Sequence, residues 1–368
     1  MDKTFKRSLL GMAVAVAAMS GSANAAIDLN GEAVQMYGQA AGFMHITNPE
    51  VGDGAAQAVI ESRIGFKGRV AFDNFGPDFI WQIESGDANN TDYGAFGMRD
   101  TYLGLDFDGV GSFKFGRQLV AAYNYVDWPH SNPGLGNVFD WHNALGEKDG
   151  KPAGIAFEDR ANNVFRYDSA TWNGFNVQAT LSGMGSSTDA LVASIAASYS
   201  MDMFSVHAGY YDQSKYTVDV AATDASFEFD TTTGGVKPVP ATPATTEEKG
   251  GASYSIVGGS VYLGDVTLTA AWKHMELDAL GSAKADSQDA YSATAQYVID
   301  GTWVLKAGYA MTSDTEHRND DGSQAITGRL GYMLPSTYLY MDVRSYDYYG
   351  SDESSDGTNI LIGAEYYF

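Results

Sequence analysis

The side chains with the widest chemical range in this 368-residue sequence are its six histidines, His45, His130, His142, His207, His274 and His317. None falls into HExxH or another metal-ligand spacing, so the motif of a hydrolytic metal centre is missing. A Ser or Asp partner for one of them would have to come from the fold. The acidic runs NDDGS (319–323) and SDESSD (351–356) lack the spacing of an EF-hand loop, and no metal is assigned. There is no cysteine to act as nucleophile or to build a disulfide framework. No enzyme and no cofactor is expected. What remains is charge that acts without covalent chemistry. In VIESRIGFKGRVAFD (59–73), strict alternation puts Arg63, Lys67 and Arg69 on one face and Ile64, Phe66 and Val70 on the other. Basic residues gathered on one wall of an acidic protein either pair with neighbouring carboxylates or set up a field.

The counter-charge for such a field lies in the long segment 119–161. It carries Asp127, Asp140, Glu147, Asp149, Glu158 and Asp159, with Trp128 and Trp141 among them. A loop of this length inside a compact domain is functional or disordered, and this one is not low-complexity. Folded inward it would narrow a lumen and set acids against the basic wall. Such a constriction orients dipolar solutes and rejects apolar ones. The alternative is that the loop covers the mouth. The indole rings invite another chemistry, because aromatic faces stack on sugar rings. Trp128 and Trp141, with Tyr123 and Tyr125, could form a short sugar track, or they could simply pack.

These residues need elements to position them. Strand-like segments recur from residue 32 to residue 368, in a chain with 42 Gly, 9 Pro and 13% aromatic residues. The count is about sixteen, with tight turns on one side and longer polar loops on the other. That is the layout of a single-chain outer-membrane barrel. The expected fold is therefore all-β, a sixteen-stranded antiparallel transmembrane β-barrel with the long third loop folded into the pore. A cation on the lipid face would cost about 2–4 kcal/mol at the midplane, so Arg63, Lys67 and Arg69 belong inside. The segment 214–250, rich in Thr, Pro, Gly and acid, reads as mobile surface.

Both ends fit this reading. Residues 1–25 have the basic start, apolar run and Ala23-Asn24-Ala25 close of a secretory signal peptide. The domains are then 1–25, a leader, and 26–368, the barrel, with cleavage near Ala25. The chain closes on TNILIGAEYYF (358–368), in which Ile360, Ile362, Ala364, Tyr366 and Phe368 share a face. That face would meet lipid, with Phe368 at the lower aromatic girdle and the last strand closing on the first. The formal net charge of −24 excludes nucleic acid as a partner and suggests a weak preference for cations.

Several blocks carry a family resemblance. ESRIGFKGR (61–69), MRDTYLGLDFDGVGSFKFGRQ (98–118), DRANNVFRYDSATWNGF (159–175) and the terminal AEYYF resemble the Gram-negative general porins, over essentially the whole mature chain. The resemblance implies a homotrimer in the outer membrane, among lipids and lipopolysaccharide, passing small hydrophilic solutes and ions. It implies barrel-assembly machinery acting through the C-terminal strand and Phe368. It also implies an eyelet of wall arginines facing carboxylates of the third loop. Arg63 and Arg117 match wall arginines, Arg160 and Arg166 match the others, and Arg99 joins them with Lys67 and Arg69 as further lining. The acidic tip familiar from enterobacterial porins is absent, so Asp127 and Asp140 are the carboxylates expected opposite. Alternation places Arg117 beside Phe113 and Phe115, so a bulge must re-aim it. The function implied is passive diffusion; a carbohydrate-selective channel using Trp128 and Trp141 is the alternative.

Overall fold

Period-two segments separated by turns account for the architecture. The computed structural model describes residues 26–87, 95–127, 145, 147–148, 151–152, 157–185, 187–230, 234–281, 284–350, 353 and 356–368. The leader, Trp128, Asp140 and Trp141 lie outside the described residues.

Sixteen staves follow one another: β1 (Gln35–Pro49), β2 (Ala55–Ile60 continued by Arg63–Phe72), β3 (Phe75–Glu84), β4 (Thr101–Phe107), β5 (Gly111–Leu119), β6 (Arg160–Ser169), β7 (Phe175–Ser182) and β8 (Val192–Ser200). The second half comprises β9 (Phe204–Gln213), β10 (Ala252–Leu263), β11 (Val266–Leu277), β12 (Asp286–Ile299), β13 (Trp303–Thr312), β14 (Gln324–Leu334), β15 (Thr337–Asp347) and β16 (Gly357–Tyr367). Each pairs antiparallel with the next, and β16 pairs with β1 from Tyr367↔Gln39 to Gly357↔Pro49. Closure removes both sheet edges. Phe368 continues the pairing, exchanging backbone hydrogen bonds with Gly38 at 2.8 and 3.1 Å.

The turns follow local chemistry. Asn173 and Gly174 both take positive φ, 50° and 86°, between the bridged Trp172 and Phe175. A two-residue hairpin of this hand matches the twist of its strands, and Asn-Gly is its preferred pair.

The two faces of the wall have opposite characters. Trp272 is 39% exposed, while the adjacent Lys273 is 1% exposed. An apolar exterior over a polar interior inverts the pattern of a soluble protein and suits a bilayer. Two aromatic bands ring the outside. Trp172, Tyr199, Trp303, Tyr332 and Tyr366 lie toward the short-turn end, and Tyr210, Trp272, Tyr291 and Tyr309 toward the other. Ile362 and Tyr366 of the last strand are half exposed and Leu361 is buried, as the terminal alternation requires.

The fifth loop departs from its composition. It pairs with itself in one continuous register, Tyr216↔Lys249, Thr223↔Thr242 and Asp230↔Gly235, as a ribbon about 50 Å long. The β-branched residues of TVDV and TTEEK favour strands despite the polarity.

The seventh loop is capped by Asp314, whose carboxylate accepts the N–H groups of Asp321 (3.2 Å) and Gly322 (3.0 Å). Backbone donors from Asp320, Gly322 and Asp321 hold this carboxyl below its ordinary range. A lowered folded value stabilises the cap above the unfolded pKa, and that stability is lost as pH falls through the folded one. The protection of the Gly322 amide, measured against the unprotected exchange rate at each pH, should therefore fall on acidification below about pH 4. In Asp314→Asn the rate should already be raised at pH 6; an unchanged rate there would remove the cap's role.

Candidate functional site

The beginning and end of the third loop lie against the inner face of the barrel. The Ala121 N–H donates to Thr180 Oγ1 (3.2 Å), the Ala122 N–H to Ser194 Oγ (2.9 Å) and Asn124 Nδ2 to Gln178 Oε1 (3.1 Å). All three acceptors are buried on the channel side of β7 and β8. Val120, Ala122, Tyr123, Leu145 and Phe157 pack with Tyr211, Tyr254, Ile256 and Met275 in one apolar cluster. Gly209 permits this approach, since a Cβ there would stand 2.9 Å from Ala122 Cβ. At the far end of the loop the Tyr211 hydroxyl accepts the Glu158 N–H at 3.1 Å, and Ser182 Oγ donates to the Glu158 carboxylate at 2.8 Å. The described ends of the loop thus rest on the inner face of β7 to β11. Tyr123 is buried in this cluster.

The cations on β1–β6 and β13–β16 and in the second loop are mostly paired with carboxylates of the wall and second loop. Arg63 Nε meets Asp87 at 2.7 Å, Arg99 Nε meets Glu84 at 2.6 Å, and Arg160 Nε meets Asp100 at 2.8 Å. Arg69 joins Asp78 and Asp106 across three staves. Asp168 takes Arg166 at 2.9 Å and Lys114 at 2.8 Å. Arg329 grips Asp342 as a fork, at 2.6 and 2.7 Å, and Arg344 adds a third bond at 2.7 Å. The bland expectation for the basic wall, pairing with neighbouring acids, describes these contacts. Asp127 ends the helical turn Tyr123–Asp127, and its side chain, like Asp140, lies outside what is described.

Arg117 is not brought into this group. It pairs with Thr101 in unbroken register on the Phe113 and Phe115 face. The bulge expected near it falls on the neighbouring β6, between Ala161 and Val164, where Asn163 takes φ 55°. The Arg117 guanidinium instead donates to the Met98 carbonyl (2.7 Å) and to Asn162 Oδ1 (2.9 Å).

Tyrosines form the second lumenal feature. Tyr37 lies across Gly65, Tyr338 across Gly331 and Tyr340 across Gly363; a Cβ on any of these glycines would come within 2.1 to 2.6 Å of the ring or its hydroxyl. The Tyr338 and Tyr340 rings stack at 5.9 Å and 24°. Lys67 stands over Tyr37 at 5.3 Å, Lys114 over Tyr102 at 5.0 Å and Arg329 over Tyr340 at 4.5 Å. The Tyr37 hydroxyl donates to Glu84 at 2.8 Å, and that of Tyr367 to Glu365. The lining residues Lys114, Asp168, Arg329, Asp342, Arg344, Tyr338 and Tyr340 were missed in the sequence. Their signal was present in TYLYMDVRSYD (337–347), where Tyr338, Tyr340, Asp342, Arg344 and Tyr346 alternate on one face.

A closed sixteen-stave barrel with an apolar exterior and a polar lumen is a membrane channel. The model of a family described as Gram-negative porin matches residues 12–353. This chain is a Gram-negative porin. It is 32% identical to the chitoporin of Vibrio furnissii, with both chains covered completely. Its structure is similar to the anion-selective porin from Comamonas acidovorans, with a TM-score of 0.65 at 17% identity, covering 91% of this chain and 99% of that one. It is similar also to OmpT of Vibrio cholerae in its trimer form, with a TM-score of 0.62 at 18% identity and coverage of 91% and 99%. The porin is a channel of the outer membrane and not an enzyme.

Proposed function

We propose that this porin conducts oligosaccharides, with chitin-type chains of N-acetylated amino sugars as the preferred class. The observation that carries the reading is the pair of half-buried tyrosines laid across wall glycines, Tyr37 over Gly65 and Tyr338 over Gly331, with Tyr340 buried behind Tyr338. Rings held against a wall offer a face to a pyranose, and the charged groups beside them offer hydrogen bonds to its hydroxyls. The full-length likeness to a chitoporin supports the same class. Trp128 and Trp141 would add a second platform from the third loop. That loop, with Asp127 and Asp140, would narrow the channel opposite Arg63, Arg160 and Arg166. The working unit would be a trimer, exported through a leader cleaved near Ala25 and assembled through the strand that ends at Phe368.

Planar-bilayer recording tests the proposal. Conductance should appear in three equal steps and be blocked in discrete events by chitohexaose more than by maltohexaose. Tyr338→Ala should weaken the block about three- to tenfold, the worth of one aromatic contact. Trp128→Ala tests the loop platform in the same recording. An open current indifferent to both sugars would instead make this a general diffusion porin.

A further inference from the structure

Lys306 stands apart from the paired cations of the lumen. It faces the channel from β13, a few residues above the short turn at 300–302, with Arg329 directly opposite on β14 and Gln296 directly opposite on β12. Among the described residues Lys306 makes no hydrogen bond and no ion pair. Asp342, next in the row on β15, gives its hydrogen bonds to other groups. One oxygen of that carboxylate takes Arg329 Nε, the other takes Arg329 Nη2 and Arg344 Nη2, and the side chain is wholly buried. Lys306 and Arg329 are therefore like charges facing each other across neighbouring strands, an arrangement that destabilises a sheet unless something lies between them. Arg329 keeps donors beyond its fork, because a guanidinium carries five N–H groups. Gln296, 5% exposed, stands opposite Lys306 on the same face and makes no hydrogen bond among the described residues.

We propose that Gln296, Lys306 and Arg329 form an anion-binding site on the lower lumenal wall, taking a carboxylate, sulfate or phosphate group. Three adjacent staves supply an amide, an ammonium and a guanidinium in one row, and an anion between them relieves the Lys306–Arg329 repulsion. Rings of Lys and Arg serve anion pores in this way. The site acts against the net charge of the chain, −24, which favours cations at long range. Within a Debye length of about 8 Å the local cations prevail. Salt or an acidic substituent on a saccharide supplies the anion, and the site does not depend on the chitin-type reading.

Chloride current through the porin in planar bilayers, titrated with potassium sulfate, tests the site. In the wild type, sulfate should reduce the current saturably. In Lys306→Gln its half-maximal concentration should rise at least threefold, with a smaller rise in Gln296→Leu. Lys306→Arg should restore the wild-type curve, a rescue that a merely structural role would not produce. Titration with oligogalacturonate distinguishes the sources. A block lost in Lys306→Gln assigns the site to acidic saccharides; no block beside a retained sulfate effect assigns it to free anions. Superimposable sulfate curves for the wild type and Lys306→Gln would overturn the proposal, as would a non-saturating decline in both.

Discussion

Asp342→Ala is expected to lower the unfolding free energy of the barrel by about 3–5 kcal/mol, the usual cost of stripping one partner from a buried ion cluster. The carboxylate is wholly buried and holds two guanidinium groups, Arg329 with 17% of its side chain exposed and Arg344 with 3%. Its removal leaves two cations facing each other, with Lys306 as a third beside Arg329. Water in the channel screens part of this repulsion, yet Arg344 is too enclosed to benefit fully. Guanidinium unfolding in detergent, followed by tryptophan fluorescence, measures the loss. The triple replacement Arg329→Met, Asp342→Leu, Arg344→Met should recover most of it, because an apolar cluster of similar volume costs no desolvation. A loss below 1 kcal/mol in Asp342→Ala would mean that lumenal water already solvates both arginines.

Val257→Arg should cost about 2–4 kcal/mol, the penalty of a cation on the lipid face of a barrel near its midplane. Val257 lies in the middle of β10, 46% exposed, paired outward with Trp272. Thr294→Arg is the control. Thr294 sits in the middle of β12 on the channel side, opposite Thr269 and Gly308. An arginine there meets water and should cost little while narrowing the conductance. Folding into vesicles followed by urea titration compares the two. Equal losses would contradict the assignment of faces.

Most of the frame could be read from the residues because a strand needs only local information. The alternation in 59–73 and 358–368 identified the inner and outer faces. Even the difficulty with Arg117 was visible, since the count from Phe113 and Phe115 put it on their face, where the structure keeps it. The partners were harder. Arg160 finds Asp100 sixty residues away, and Arg99 reaches back to Glu84. Such pairs depend on the register between staves and on where loops land, which no single segment encodes. The seats of Tyr37 on Gly65 and Tyr340 on Gly363 are cross-strand facts of the same kind. Arg166 and Asp168 are different, because a spacing of two already places them together. So does the run of alternating tyrosines in 337–347, and both could have been seen.

The alternation of the staves has a consequence for how this molecule can change over generations. Every second codon of a stave answers to the bilayer, and the codons between answer to the solute. Drift at Tyr338, Tyr340 or Lys306 can retune what passes without disturbing Leu339, Met341 or Leu305, which hold the wall in the membrane. Diversification by point substitution is therefore cheap, and a deletion of one residue is not. Losing one position inside β15 would turn its remaining tyrosines, Asp342 and Arg344 toward lipid, a failure of phase that no single compensating substitution repairs.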